Sequence, residues 1–305
     1  MNPNGAGLAI VLSAGGDRNE LAAHGLGEEH LNELMVRMAM QLLRAGHRLA
    51  FGGTLGDPTQ RLTQQLIDTA TNWVGDEMAK SCDVNKPETW PLTNYSAWPF
   101  HTTITDVQRA RLVGICRFIT IDPPKSSQDD LVKLLPDWKK NSQARLRAAD
   151  ALSAMREVST RETDLRIVWG GKIAGSSGWM PGILEEIGFS LQHGKPFMIL
   201  GGFGGCASLL ADFVVNLKAE WPSQLSLSAN ADPERDALRT ADQRKSLELR
   251  YQKIEEQLRD FRSKLHTEKS VYGLDSKSLK EALREGGARR AIQLAVSAAS
   301  ECAGS

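Results

Sequence analysis

Two adjacent glutamates, Glu185 and Glu186, close a stretch that reads GGKIAGSSGWMPGILEE and holds five glycines, two serines and a proline. A carboxylate at such a place could accept hydrogen bonds from both hydroxyls of a ribose. In a hydrolase it would stabilise an oxocarbenium-like state or activate water. Neighbours on a helix point about 100° apart, so at most one of the pair can face a ligand. The plain alternative is a first-turn acid that complements the helix dipole.

Cations that could meet phosphate are set around the same motifs. Lys172 follows Gly170-Gly171 at a strand end, and Arg18 follows Gly15-Gly16-Asp17. Arg109 and Arg111 precede a strand, and Arg156 and Arg166 flank another; spacing does not say which of the four reaches a pocket. Ser13 and Thr54 offer hydroxyls beside glycine pairs. Trp179 could stack on a base or serve as a core or dimer contact.

The elements that would carry these residues alternate. LAIVLSAGGD, HRLAFGG, LVGICRFITID, LRIVWGG and PFMILGG read as strands. Leu31, Leu34, Met35, Met38 and Leu42 fall on one helical face, ended by Gly46. Further helices are expected around Gln60–Ala70, Asp129–Met155 and Ile183–Gln192. Strand and helix in turn imply parallel strands with crossover helices. KPETWPLTNYSAWPF reads as a surface excursion or an irregular strand. After Leu217 the chain turns polar, with a charged helix over Arg239–His266, read as a solvated face or a partner contact, and a last helix from Ser276.

Gly-Gly recurs at strand ends: Gly15-Gly16, Gly52-Gly53, Gly170-Gly171 and Gly201-Gly202. In a parallel sheet these ends share one edge, where helix N-termini offer free N–H groups to anions. Glycine there lets backbone approach a ligand closely, though glycine-rich connections also occur without one. The phosphate-loop pattern G-x-x-x-x-G-K-[ST] is missing, and GSSGW misses G-x-S-x-G by one position. Gly202-x-Gly204-x-x-Ala207 has dinucleotide spacing, but LKAEWP stands where the ribose-binding strand should end. Neither a metal nor a resident cofactor is expected, because no metal-ligand motif is present.

Composition narrows the classes further. The chain has 305 residues and 37 basic against 37 acidic groups, so no net field favours nucleic acid or an anionic membrane. The N-terminus lacks a basic region, no apolar run approaches a membrane span, and Cys82, Cys116, Cys206 and Cys302 lie far apart. A cytoplasmic location with reduced thiols is the expectation.

The segment RIVWGGKIAGSSGWMPGILEEIGFSLQHGKPFMILGGFGG resembles the SLOG superfamily, the Smf/DprA–LOG Rossmann-like fold. It is most similar to the defence-associated branch found with TIR and nucleoside-phosphorylase-like domains. The likeness rests on Gly170, Gly171, Lys172, Gly178, Pro181, Gly182, Glu185, Glu186 and Gly201–Gly205, and weaker similarity extends over most of the chain. It implies an α/β, three-layer parallel sheet over 1–217 with a helical C-terminal extension over 218–305. It also implies a nucleotide-derived ligand, an ADP-ribose-type, cyclic signalling molecule sensed in antiphage defence. A separate effector or TIR-type protein would be the partner, and the chain itself a homo-oligomer.

The expected ligand contacts are Ser13, Gly15, Gly16, Arg18, Gly52, Gly53, Thr54, Arg109 and Arg156. To these are added Gly170, Gly171, Lys172, Gly178, Pro181, Gly182, Glu185, Glu186, Gly202, Phe203 and Gly204. The alternative is a LOG-like nucleotide N-glycosidase with Glu185 or Glu186 as catalytic group. PGILEE lacks that branch's second glycine and its Gly-Thr, which counts against turnover.

Overall fold

A computed structural model describes residues 7–16, 21–22, 25–53, 61–73 and 85–304. Arg18, Thr54 and Cys82 lie outside the described residues. Six strands form one sheet in the order β4-β3-β2-β1-β5-β6, and every neighbouring pair is parallel. They are β1 (Ala9–Gly15), β2 (Arg48–Gly52), β3 (Leu92–Ala97), β4 (Cys116–Ile121), β5 (Leu165–Gly170) and β6 (Phe197–Leu200). The helices between them are α1 (Glu28–Arg44), α2 (Arg61–Trp73), α3 (Asp106–Arg111), α4 (Gln128–Leu134), α5 (Ser142–Glu162) and α6 (Gly182–Gln192). After β6 comes α7 (Gly205–Val215).

Alternation along the strands decides which helix covers which face. Ile10, Leu12, Leu49 and Phe51 share a core with the apolar stripe of α1, where Leu31, Leu34, Met35, Met38 and Leu42 are buried. Val11, Ala50, Tyr95 and Ala97 point the other way and pack on Ala144, Ala148, Ala151 and Met155 of α5. The α5 face therefore receives a nearly flat alanine surface, which lets the helix lie close to the sheet.

Three elements differ from the sequence reading. The excursion at 92–97 is a buried parallel strand between β2 and β4. Its polar residues hid it: Asn94, fully buried, donates through Nδ2 to the Gly53 carbonyl at 3.1 Å. The long helix expected over Asp129–Met155 is two, α4 and α5, broken around Pro136, which removes a backbone donor. The C-terminal helix from Ser276 is likewise two, α10 (Ser276–Ala282) and α11 (Ala288–Gly304), parted at Gly286-Gly287.

The extension before them holds α8 (Pro233–Ala237), α9 (Ala241–Thr267) and a hairpin of β7 (Ser270–Val271) and β8 (Leu274–Asp275). In α9 the buried residues Leu247, Tyr251, Ile254, Leu258, Phe261 and Leu265 run down one side. Their spacing of four and three is a helical stripe, and α9 docks with it on α6 and α7. The charged helix is thus solvated on one side only.

Candidate functional site

Strand order reverses between β1 and β5, so the crevice beyond their carboxyl ends is the switch point where ligands bind in this kind of sheet. The backbone there is tightly drawn. Gly171 donates its N–H to the Gly15 carbonyl at 2.5 Å, and Cys206 donates to the Gly171 carbonyl at 2.9 Å. Gly170 and Gly171 have φ of 61° and 87°, and Gly204 and Gly205 have 73° and 64°, all in the left-handed region that favours glycine. A Cβ on Gly205 would strike the Gly171 carbonyl oxygen, which is backbone and has nowhere to go. Ile183 of α6 lies directly against Gly171, as does Cys206 of α7. Both helices therefore start at this turn, and neither N-terminus is capped by a side chain. Their positive ends are presented to whatever enters.

Lys172 stands exposed immediately after the turn. Gly15 and Gly16 sit on the β1 side, and Gly52 and Gly53 end β2, one strand further along the same edge. Pro181 occupies the residue before α6.

The two glutamates part company. The Glu185 side chain is fully buried and points inward, held by the Arg156 guanidinium, the Ser153 hydroxyl and Arg250 Nη2, the last at 2.7 Å. Burial pushes its carboxyl up, but Arg156, Arg250 and Ser153 outweigh that and leave it below the usual carboxylate range. Glu185 thus has no face toward the crevice. Glu186, with 14 % of its side chain exposed, lies 3.0 Å from Arg166 Nη1. Arg166 in turn donates to the hydroxyls of Ser13 at 2.8 Å and Thr160 at 2.8 Å. Burial lowers the Arg166 guanidinium, and Glu186 opposes the shift.

Other expected contacts find different uses. Arg156 lies beneath the turn: a Cβ on Gly178 would sit 2.6 Å from its Nη1, and one on Gly182 2.9 Å from its Nη2. Those two glycines make room for a buried guanidinium. A Cβ on Gly201 or Gly202 would run into the backbone of Leu283 and Glu285, so that pair serves close packing of the extension. Phe203 is 2 % exposed and belongs to the core. Arg109 covers the ring of Phe118 on the edge strand β4, with β3 and β2 between it and the switch point. Glu185, Gly202, Phe203 and Arg109, all expected at the ligand, thus have these contacts within the protein itself.

The residues that sequence reasoning missed come from α8, α9 and the bend between them: Arg235, Arg239, Arg250 and Tyr251 gather behind the glycine turn. The four-three spacing around Tyr251 was the available signal; nothing in the spacing marks the arginines. Trp179 donates its Nε1–H to Asp150 at 3.0 Å under the guanidinium of Arg239, so it is packed and not open to a base.

Burial pushes the thiols of Cys116 and Cys206 up to about 12, which makes both poor nucleophiles. Among the described residues, no group of three or more His, Cys, Asp or Glu could hold a metal ion, and no helix is long and apolar enough to cross a membrane. A groove of about 790 Å³ lies elsewhere, between α1 and α11, lined by Met40, Ile292 and Val296. It is apolar and lacks the converging backbone donors of the glycine turn, so size alone does not mark the site.

No curated protein matches the chain. The family described as SLOG cluster2 matches residues 4–278, a span that takes in the sheet, both glycine turns, α8, α9 and the first residues of α10. Family, strand order and the uncapped helix starts agree on a nucleotide-related function. The chain belongs to the SLOG superfamily, in its cluster 2.

Proposed function

We propose that the β1–β5 crevice binds a nucleotide-derived ligand of the ADP-ribose type, cyclic in form, and that the protein is its sensor in bacterial antiphage defence. One observation carries the reading: two uncapped helix starts and four left-handed glycines converge on a single turn at the topological switch point. Such a turn holds phosphate through backbone N–H groups. Lys172 adds a free-standing cation beside it, and Glu186 is the glutamate placed to meet a ribose. The buried Nε atoms of Arg156 and Arg166 have no hydrogen-bond partner among the described residues, which is capacity a bound ligand or its waters would use. Glu185, locked in ion pairs and without exposure, is unsuited to general-base work. Hydrolysis of a glycosidic bond would thus fall to Glu186 alone. In this reading the occupied sensor signals, in the cytoplasm, to a separate effector or TIR-type protein, or through assembly of its own copies.

The test follows melting temperature and released base together, with ADP-ribose, its cyclic isomers, NAD and AMP. The expected result is a rise in melting temperature with one ligand, no free base, and loss of the rise in Lys172→Ala. Free adenine or nicotinamide that disappears in Glu186→Gln would instead establish turnover.

A further inference from the structure

The stretch that follows the glycine turn is held in part from outside. Between Gly171 and Pro181 its backbone carbonyls are gripped from outside, by residues of the C-terminal extension. Arg235 Nη1 donates to the carbonyl of Gly178 at 2.9 Å and lies 3.4 Å from that of Ser177. The Tyr251 hydroxyl donates to the carbonyl of Trp179 at 3.2 Å. The Trp179 ring lies under two guanidiniums, with Arg239 at 3.9 Å from its centroid and Arg235 at 4.7 Å. Arg235 is 2 % exposed and Arg239 7 %, so neither grip is a surface contact. Asp232 and Asp236 flank Arg235 and keep the cluster charge-matched. Arg250 of the same helix reaches Glu185 in the first turn of α6.

Deep burial of two arginines is costly unless their charges and donors are used. Here Arg235 is spent on two neighbouring backbone carbonyls and Arg239 on Asp236 and the ring of Trp179. An arginine fork suits that task because it is planar, can reach two adjacent carbonyls and can stack on an aromatic face together.

We propose that Arg235, Tyr251 and Arg239 are positioning residues of the ligand site, which keep the 177–179 turn in the shape that receives phosphate. The inference rests on the proposed function for the ligand, but not for the grip itself. Its consequence is reciprocal coupling: if the docked extension shapes the turn, a ligand on the turn tightens the extension by the same factor. The outer side of α9 is then where occupancy of the crevice is felt.

The experiment compares the full chain with Arg235→Ala and with Tyr251→Phe, which removes only a hydroxyl and leaves the packing. Trypsin cleavage after exposed Lys172 reports release of the turn under native conditions, ADP-ribose binding is followed by calorimetry, and hydrogen exchange is read at β1 and over 233–251. Cleavage should rise about tenfold in Arg235→Ala and by a smaller factor in Tyr251→Phe, with β1 exchange unchanged. Affinity for ADP-ribose should fall in the same order, and bound ADP-ribose should slow exchange over 233–251. Unchanged cleavage in both variants overturns the inference, as does cleavage that rises only in step with β1 exchange. If the unchanged chain binds no ADP-ribose, the proposed ligand fails while the cleavage comparison still decides the grip.

Discussion

One helix, α5, covers two halves of the same sheet face, and the halves are built on different principles. Toward β1, β2 and β3 it presents Ala144, Ala148 and Ala151 to Val11, Ala50, Tyr95 and Ala97, a contact of hydrocarbon apart from the Tyr95 hydroxyl. Toward β5 and α6 it presents Ser153, Arg156, Ser159 and Thr160 to Arg166, Glu185 and Glu186. The alanine half closes by shape and gains from burial itself. The charged half gains little from being buried and is stable only while every charge has its counterpart. It lies directly under the glycine turn. Hydrocarbon cannot sense a ligand or a proton; a balanced set of buried charges can.

The sharpest way to break this contrast is Arg156→Ala, which strands Glu185 with one guanidinium fewer. We expect a loss of about 3–5 kcal/mol in urea unfolding, and a much smaller loss in the double change Arg156→Met, Glu185→Met, which leaves no buried carboxylate unpaired and frees only Arg250, a side chain 33 % exposed. In the alanine half, Ala148→Leu adds bulk where the residue has no exposure. It should cost about 1–3 kcal/mol by overpacking.

Acid separates the halves next. The Glu185 carboxyl is lowered in the folded chain, so its contribution is complete above the ordinary glutamate value of 4.5 and is lost as pH falls through the folded value. Urea midpoints taken downward from pH 7 should show that loss in the unchanged chain and in Ala148→Leu, but a flatter profile in Glu185→Gln. Tyr95→Phe removes the hydroxyl that donates to Glu162 at 2.9 Å on the alanine side, for about 1 kcal/mol. Burial and Glu162 both raise that phenol, so ordinary pH should not touch it. Smallest of all, Lys172→Ala should leave stability within about 0.5 kcal/mol while removing the ligand-induced rise in melting temperature.

Much of the fold was legible because five of six strands are apolar runs closed by glycine or proline, and α1 carries a regular stripe. β3 was legible only as one of two alternatives, because Thr93, Asn94 and Ser96 give it the polarity of a loop; the partner that makes Asn94 acceptable, the Gly53 carbonyl, is 41 residues away. The glycine turn could be read as backbone between strand ends and helix starts, since left-handed conformations leave a mark in composition. Which glutamate faces inward could not, because adjacent residues differ only by the helix's rotation against α5 and α9. The arginines behind the turn were hidden because their partners are far off in the chain: for Arg235 backbone carbonyls, which every residue has, for Arg239 the ring of Trp179, and for Arg250 the carboxylate of Glu185.

The strand order also fixes a sequence of events on a growing chain. Ser13 is joined to Arg166 across 153 residues, and the central strand β1 cannot gain its second neighbour until β5 has been made. At ordinary translation rates that interval is about 8–30 s. Even then the turn between Gly171 and Pro181 stays ungripped until Arg235, 57 residues beyond Gly178, leaves the ribosome, and its grip is complete only with Tyr251, 72 residues beyond Trp179. During synthesis the first strand must wait half-paired, and the part of the molecule that would meet a nucleotide is the last to take its shape.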